Sequence, residues 1–183
     1  GELVNDFTFF AVRDPTLNAF AFPGGFIGVH TGLLLAAQSE SELASVLSHE
    51  IGHVSQRHIA RMLTQQRQDI LIPIATTALA ILAAQAGGDA LGAVMVGGQG
   101  YAIQKQINFT RDAEKEADRV GFTILKGAGF DTNGMTSFFE RLQVATRTYN
   151  DAPSPYLRTH PLTSERIADI EARVRREPYR QHA

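Results

Sequence analysis

The chain has 183 residues, 44% hydrophobic and 20% charged, with a formal net charge of −2. That length suits one domain with a real core, and the near-neutral balance argues against nucleic-acid binding, which calls for a basic patch. With no cysteine, disulfides and thiolate metal sites are excluded, so any zinc must be held by His and carboxylate side chains. The sequence opens at Gly1 rather than Met, as expected of a processed or trimmed chain.

Residues 7–30 read as three short strands, FTFFAVR, NAFAF and GFIGVH, separated by Asp14-Pro15 and Pro23-Gly24-Gly25. The expected arrangement is a small antiparallel meander. Its strand near Phe26–His30 would be open to pair with an extended substrate backbone. A long helix follows. Ser39 and Glu42 form the signature of a capping box, and Leu43, Val46, Leu47, Ile51 and Val54 recur at helical spacing. On the flank of that stripe lies His-Glu-Ile-Gly-His at 49–53. Two histidines four residues apart share one face of a helix and can hold one zinc ion. Glu50 beside the first of them is then placed to act as general base in hydrolysis. The plain alternative is a solvated helix face with two histidines. Gly52 is costly inside a helix, which suits close approach of another backbone; an incidental small residue is the other reading.

Residues 70–104 carry two uncharged, Ala- and Gly-rich runs interrupted by Asp89. Each falls short of the roughly 18 apolar residues of a transmembrane helix, and Pro73 weakens that case further. A helical hairpin lying over or beside the cleft is expected, with membrane-surface contact as the sharper reading. A second motif-bearing helix is expected over about Phe109–Ala128, a third over about Asn133–Tyr149, then a Pro-rich loop at 151–161 and a charged amphipathic helix over about Thr163–Arg176. No repeat or second domain is visible, so 1–183 reads as one domain with an apolar insert at about 70–104.

A catalytic zinc site needs three protein ligands and an open position. Glu114 is the best third candidate, on a helix that also carries the small residues Ala117 and Gly121. Asp118, one turn on, can accept the outer N–H of a ligating histidine. The alternative for both is an acidic face paired with Arg111, Lys115 and Arg119. His160 precedes Pro161 in the loop. It can stabilise an oxyanion, fill the open zinc position and hold the site latent, or simply pack the loop. His30, His58 and His182 have no partner in a motif; His30 reads as a strand residue and the other two as surface histidines.

HEIGH at 49–53 followed by EKEAD at 114–118 resembles the HtpX and CAAX-prenyl-protease family of zinc metallopeptidases. The stretch 18–35, beginning NAFAFPGGFIGVHTGLL, and THPLTSERI at 159–167 match as well. The likeness is greatest to a bacterial periplasmic branch whose members add a tetratricopeptide-repeat domain that nothing here resembles. The resemblance implies a gluzincin-type fold with zinc on His49, His53 and Glu114 and with Asp118 behind them. Arg166 matches the Arg of the family's HPxxxxR stretch and would anchor the loop or an anionic intermediate. In polytopic members transmembrane helices stand where 70–104 stands here.

Together these features describe an α+β, mostly helical zinc endopeptidase with one zinc per chain and Glu50 as its base. The resemblance implies unfolded or misassembled polypeptides as substrates and a periplasmic or membrane-associated location in the bacterial envelope. A chaperone-like binding module with a plugged zinc site is the runner-up. A purely structural zinc domain is disfavoured by Glu50 beside the first ligand.

Overall fold

A computed structural model describes residues 6–86, 89–148 and 153–179; His182 and Tyr149 lie outside the described residues. The chain divides into two compact units, Gly1–Arg57 with Ala113–Ala183, and His58–Asp112.

The first unit opens with strands β1 (Thr8–Val12), β2 (Ala19–Phe22) and β3 (Phe26–His30). They form one small sheet in the order β1-β3-β2. β2 pairs antiparallel with β3, but β1 pairs parallel with it, Val12 opposite His30. The sheet is therefore mixed rather than an antiparallel meander. The cause lies at the end of β1. The Asp14 carbonyl accepts hydrogen bonds from Gly32 N and Thr31 Oγ1, both at 2.9 Å, which ties the exit of β1 to the exit of β3. With partners on both sides, Phe26–His30 is the central strand, so it cannot be the one that receives a substrate backbone. Ile27 and Val29 are buried, as is Ala19 of β2. His30 ends β3 with Nδ1 3.0 Å from Thr16 Oγ1.

Helix α1 (Thr31–Ala36) leads into α2 (Glu40–Ser55). Ser39 caps α2 by accepting from Glu42 N at 3.1 Å. The other half of the expected capping box is absent. Glu42 turns its carboxylate to Gln38 N at 2.9 Å and to Arg141 of α6 (Asn133–Thr148). A buried carboxylate needs a cation, and that demand outweighs the local cap. The core of this unit gathers Val46, Phe122, Leu125, Met135, Phe138, Phe139, Leu142, Tyr156 and Ile170.

The Pro-rich stretch is not all loop. Ser154 and Pro155 start a short helix, α7 (Pro155–Thr159), with Ser154 Oγ accepting from Leu157 N. Ser at the cap and Pro at the first helical position are strong start signals. His160 is thus the residue that ends a helix. α8 (Ser164–Arg176) follows, capped by Thr163.

The second unit holds α3 (His58–Asp69), α4 (Leu71–Ala86) and the first part of α5 (Ala90–Gly127). α5 starts well before the expected Phe109, because the uncharged Gly-rich run upstream is helical too. Pro73 is harmless in the first turn of α4, where its missing N–H would have no helical partner. The stretch His58–Gln85 is long and apolar enough to cross a membrane by length and composition, since helix extends upstream of the uncharged run. His58, expected at the surface, is buried at 4% exposure; its spacing from other residues carried no sign of that.

Two glycines set the distance between α2 and the Ala113–Gly127 part of α5. A Cβ on Gly52 would meet the Ala117 carbonyl oxygen at 2.8 Å, and one on Gly121 would meet His49 N and Cα at 3.0 Å. Both contacts are with backbone, so neither can yield by rotating a side chain. Gly121→Val is expected to destabilise the protein by about 1–3 kcal/mol. That corresponds to a melting midpoint lower by about 2–4 °C per kcal/mol. An unchanged midpoint in differential scanning calorimetry would show that the helices do not meet here.

Candidate metal centre

The close crossing of α2 and α5 leaves no room for side chains between them, so those on either flank converge. His49 and His53 lie one turn apart on α2, and Glu114 and Asp118 one turn apart on α5. Their spacing of four residues puts each pair on one face. On the flank of that crossing His53 Nε2 stands 3.0 Å from His49 Nε2 and 3.0 Å from Glu114 Oε1. His49 Nε2 is 3.1 Å from Glu114 Oε2. His160, from the end of α7, joins them with Nδ1 3.0 Å from Glu114 Oε1 and 3.4 Å from His49 Nε2. Ligand atoms of His49, His53, Glu114 and His160 all lie within 4.8 Å of one another.

These separations fit a metal ion. Four ligands about 2.0–2.1 Å from a tetrahedral ion stand roughly 3.3–3.4 Å apart. The donor chemistry agrees. His49 Nδ1 donates to Asp118 Oδ1 at 2.9 Å, so in the neutral ring Nε2 carries a bare lone pair. That lone pair faces the Nε2 of His53 and the Nδ1 of His160. Three imidazoles converging on a carboxylate in a buried place make a site for a cation. Glu114 Oε2 is buried without a hydrogen bond.

Burial and charge sort the protons here. Burial works against a charged His49, but the Glu114 charge and the bond to Asp118 outweigh it and lift its pKa to about 10. Burial drives His53 down to about 3, only partly offset by its bond to Glu114. Burial also raises Glu114, yet the His160 and His49 charges hold it well below the usual carboxylate range. A metal entering this set therefore displaces a proton, chiefly from His49.

Behind these four side chains sits a second charged layer. Arg166 is 2% exposed. It grips Asp118 with two donors, Nε to Oδ2 at 2.7 Å and Nη2 to Oδ1 at 2.8 Å. Its Nη1 donates to the Pro161 carbonyl at 2.8 Å and lies 3.1 Å from Glu114 Oε2. The guanidinium also lies over the Phe139 ring, 5.1 Å from its centre. Arg166 thus joins Asp118 to the segment that carries Pro161. Asp118 and Glu114 are both nearly fully buried, so they are not the solvated acidic face. The neighbouring Lys115 and Arg119 pair instead with Glu165 and Asp169 of α8.

Glu50 is 1% exposed. Its Oε1 accepts no hydrogen bond and stands 3.3 Å from His160 Nε2. Burial raises its pKa. Tyr156 is a neighbour of the site that the sequence reading did not single out. Its ring stacks on His160, centres 4.4 Å apart at 25°, and Phe138 meets it edge-on from the other side. The signal was available: residues 156 and 160 are four apart in a stretch with a helix-start pattern. His30 makes its contacts with Thr16 and Asp14, outside the cluster.

Replacing Arg166 by Leu would leave the buried Asp118 charge with His49 alone beside it, which is expected to cost up to about 3–5 kcal/mol in urea unfolding. The pH dependence should change too. Burial raises the Asp118 pKa, but Arg166 and His49 more than offset this and hold it below the usual value. Its stabilising effect is then present above the unfolded pKa of about 3.9 and lost as pH falls through the lower folded value. Arg166→Leu should flatten that acid limb; an unchanged limb and an unchanged midpoint would show that the pair contributes nothing.

The family model of peptidase family M48 matches residues 3–174. A Vibrio cholerae protein provisionally named a beta-barrel assembly-enhancing protease is 52% identical over 181 residues, 97% of this chain and 36% of that protein. The Escherichia coli K12 beta-barrel assembly-enhancing protease is 39% identical over 168 residues, 92% of this chain and 34% of its own length. A mitochondrial metalloendopeptidase of Schizosaccharomyces pombe is 33% identical over 171 residues, covering 91% of this chain and 48% of the relative. The chain thus spans about a third of the length of the first two relatives. With the family match running through the sheet, both motif helices and the Arg166 segment, this chain belongs to peptidase family M48.

Proposed function

We propose that the chain is the catalytic part of a zinc metalloendopeptidase that cuts unfolded or misassembled polypeptides in the bacterial cell envelope. The observation that carries this reading is the convergence of three imidazoles and one carboxylate beside a second buried carboxylate, Glu50. Family membership supports peptide-bond hydrolysis over the chaperone-like alternative. The names of the relatives, beta-barrel assembly-enhancing proteases, support the envelope and its misassembled proteins as the setting.

In this reading His49, His53 and Glu114 hold one zinc ion. Zinc bound there supplies Lewis acidity that makes water nucleophilic near neutral pH. Glu50 receives the proton of the attacking water and passes it to the departing amine. Its burial, which favours the protonated form, suits a group that must both take and give a proton. Asp118, fixed by Arg166, keeps the Nδ1 proton of His49 in place, so that Nε2 remains a donor to the metal.

Of the roles expected for His160, its Nδ1 contacts support ligation. The 3.0 Å and 3.4 Å separations from Glu114 and His49 support its reading as a fourth ligand. We therefore read the resting enzyme as latent, with His160 yielding its place when a substrate enters.

Three variants test the reading. Glu50→Gln should keep about one zinc per chain by elemental analysis while hydrolysis of casein falls about 10²–10⁴-fold. Glu114→Ala should lose most of the zinc. Undiminished cleavage by the first, or full zinc retention by the second, would refute the assignment. His160→Ala should raise casein hydrolysis with zinc still bound; a fall in rate would instead identify His160 as a donor to the oxyanion.

A further inference from the structure

Helix α7 has a second face that the metal centre does not use. Tyr156 and His160 stand four residues apart, and the ring of His160 lies among those of His49 and His53. Leu157, Arg158 and, just past the helix, Pro161 line a groove instead. Its larger part, about 860 Å³, lies between α7, the Pro15–Leu17 segment and the end of α6. A smaller part, about 450 Å³, continues to Pro161, Leu162 and Ile167, and the two share Thr146 and Leu157. These volumes are those of ligand sites. Four of the chain's seven prolines line the groove, Pro15, Pro153, Pro155 and Pro161, and each fixes its own φ. Tyr156 N donates to the Leu17 carbonyl at 3.2 Å and so joins two of the walls. Walls fixed beforehand lose little entropy when a ligand arrives.

The chemistry of the groove is one-sided. Its charged lining residues are Arg147 and Arg158, both exposed. Neither is held by a carboxylate among the described residues. The hydroxyls of Thr146 and Thr148 donate to carbonyls of their own helix at 2.8 and 2.9 Å, and Ser154 Oγ accepts from Leu157 N. What remains for a ligand is an apolar floor and two guanidinium groups. Guanidinium selects carboxylate, and the floor gives up its water only to apolar side chains. A polypeptide stretch that mixes apolar residues with carboxylates offers both, whereas a nucleic acid would leave the floor wet. The place of the groove indicates whose polypeptide this is. Pro161 lines its end and directly follows His160. With its side chains α7 is about 10–12 Å thick, a distance that about four extended residues cover. A chain seated in the groove reaches the metal centre with its next few residues.

We propose that this groove is a holding site for substrate, which takes an apolar stretch bearing carboxylates a few residues away from the bond to be cut. The identity of the occupant rests on the peptidase reading. Binding itself needs neither zinc nor Glu50, so the two can fail separately.

The test uses two labelled peptides of leucine, proline and alanine, one carrying two aspartates and its twin two lysines. Binding is read by fluorescence anisotropy on the whole chain with Glu50→Gln, so that neither peptide is cut. The aspartate peptide should bind more tightly than its twin. Arg147→Glu with Arg158→Glu should weaken it roughly tenfold and strengthen the twin. The chain has no tryptophan, so Thr146→Trp places a single reporter where the two parts of the groove meet. Its emission should shift to the blue when the aspartate peptide binds. With Glu50 restored, a substrate long enough to contain the aspartate stretch is compared with one limited to the residues around the cut. The paired Arg changes should raise the ratio of KM for the long substrate to KM for the short one roughly tenfold. Equal affinity for the two peptides, an unshifted tryptophan or an unmoved KM ratio would overturn the proposal. So would a dimer that Thr146→Trp disperses, since a second copy would then fill the groove. Binding without cleavage would count against the peptidase reading and with it the substrate as occupant, whereas cleavage without binding would count against the groove alone.

Discussion

The first unit depends on two helices touching backbone to backbone. Gly52 meets Ala117 and Gly121 meets His49 because neither glycine has a side chain to hold the helices apart. Helices with ordinary side chains between them pack about 8–10 Å apart, and the ligands of a small ion cannot tolerate much drift from their places. The closeness is thus a precondition for His49, His53 and Glu114 to share one cation.

Closeness brings charges together as well as ligands, and burial then makes each of them costly unless matched. The arrangement answers this by pairing outward in layers. Glu114 faces three imidazoles and Arg166, Asp118 takes Arg166 and His49, and Arg166 also takes the Pro161 carbonyl. Such a web resists piecemeal change, since removing any member leaves a neighbour uncompensated in a low-dielectric setting.

Much of this was readable in the residues. His49, Glu50 and His53 announce themselves by spacing, and Ser39 marks the start of their helix at the right place. Glu114 and Asp118 were legible because their spacing of four fixes a shared face before any partner is known. The sheet was less so: strands were visible, but β1 pairs with β3 through a tether at Asp14 and Thr31, a contact 17 residues apart that no local pattern encodes. Glu42 shows the same limit. Its place in a capping pattern was correct, yet a distant Arg141 claimed its carboxylate. Arg166 was visible as a motif position, but its grip on Asp118 arises only after folding. Tyr156 was missed because a Pro-rich stretch hides a five-residue helix.

The attachment of His160 decides how readily this centre could open. Its segment is held at Pro161 by one hydrogen bond from a guanidinium that keeps both its bonds to Asp118 whether or not the segment stays. The stack on Tyr156 adds a second hold. A charged hydrogen bond is worth about 1.5–3 kcal/mol and an aromatic stack about 0.5–1.5 kcal/mol. These two holds alone would leave an open form in roughly one molecule in thirty to one in two thousand, and the contacts of His160 with Glu114 and Glu50 make it rarer. A segment with that equilibrium is closed at any instant but samples its open form thermally. A passing chain end could capture it without first unfolding anything, and the ligands behind it would stay in register throughout.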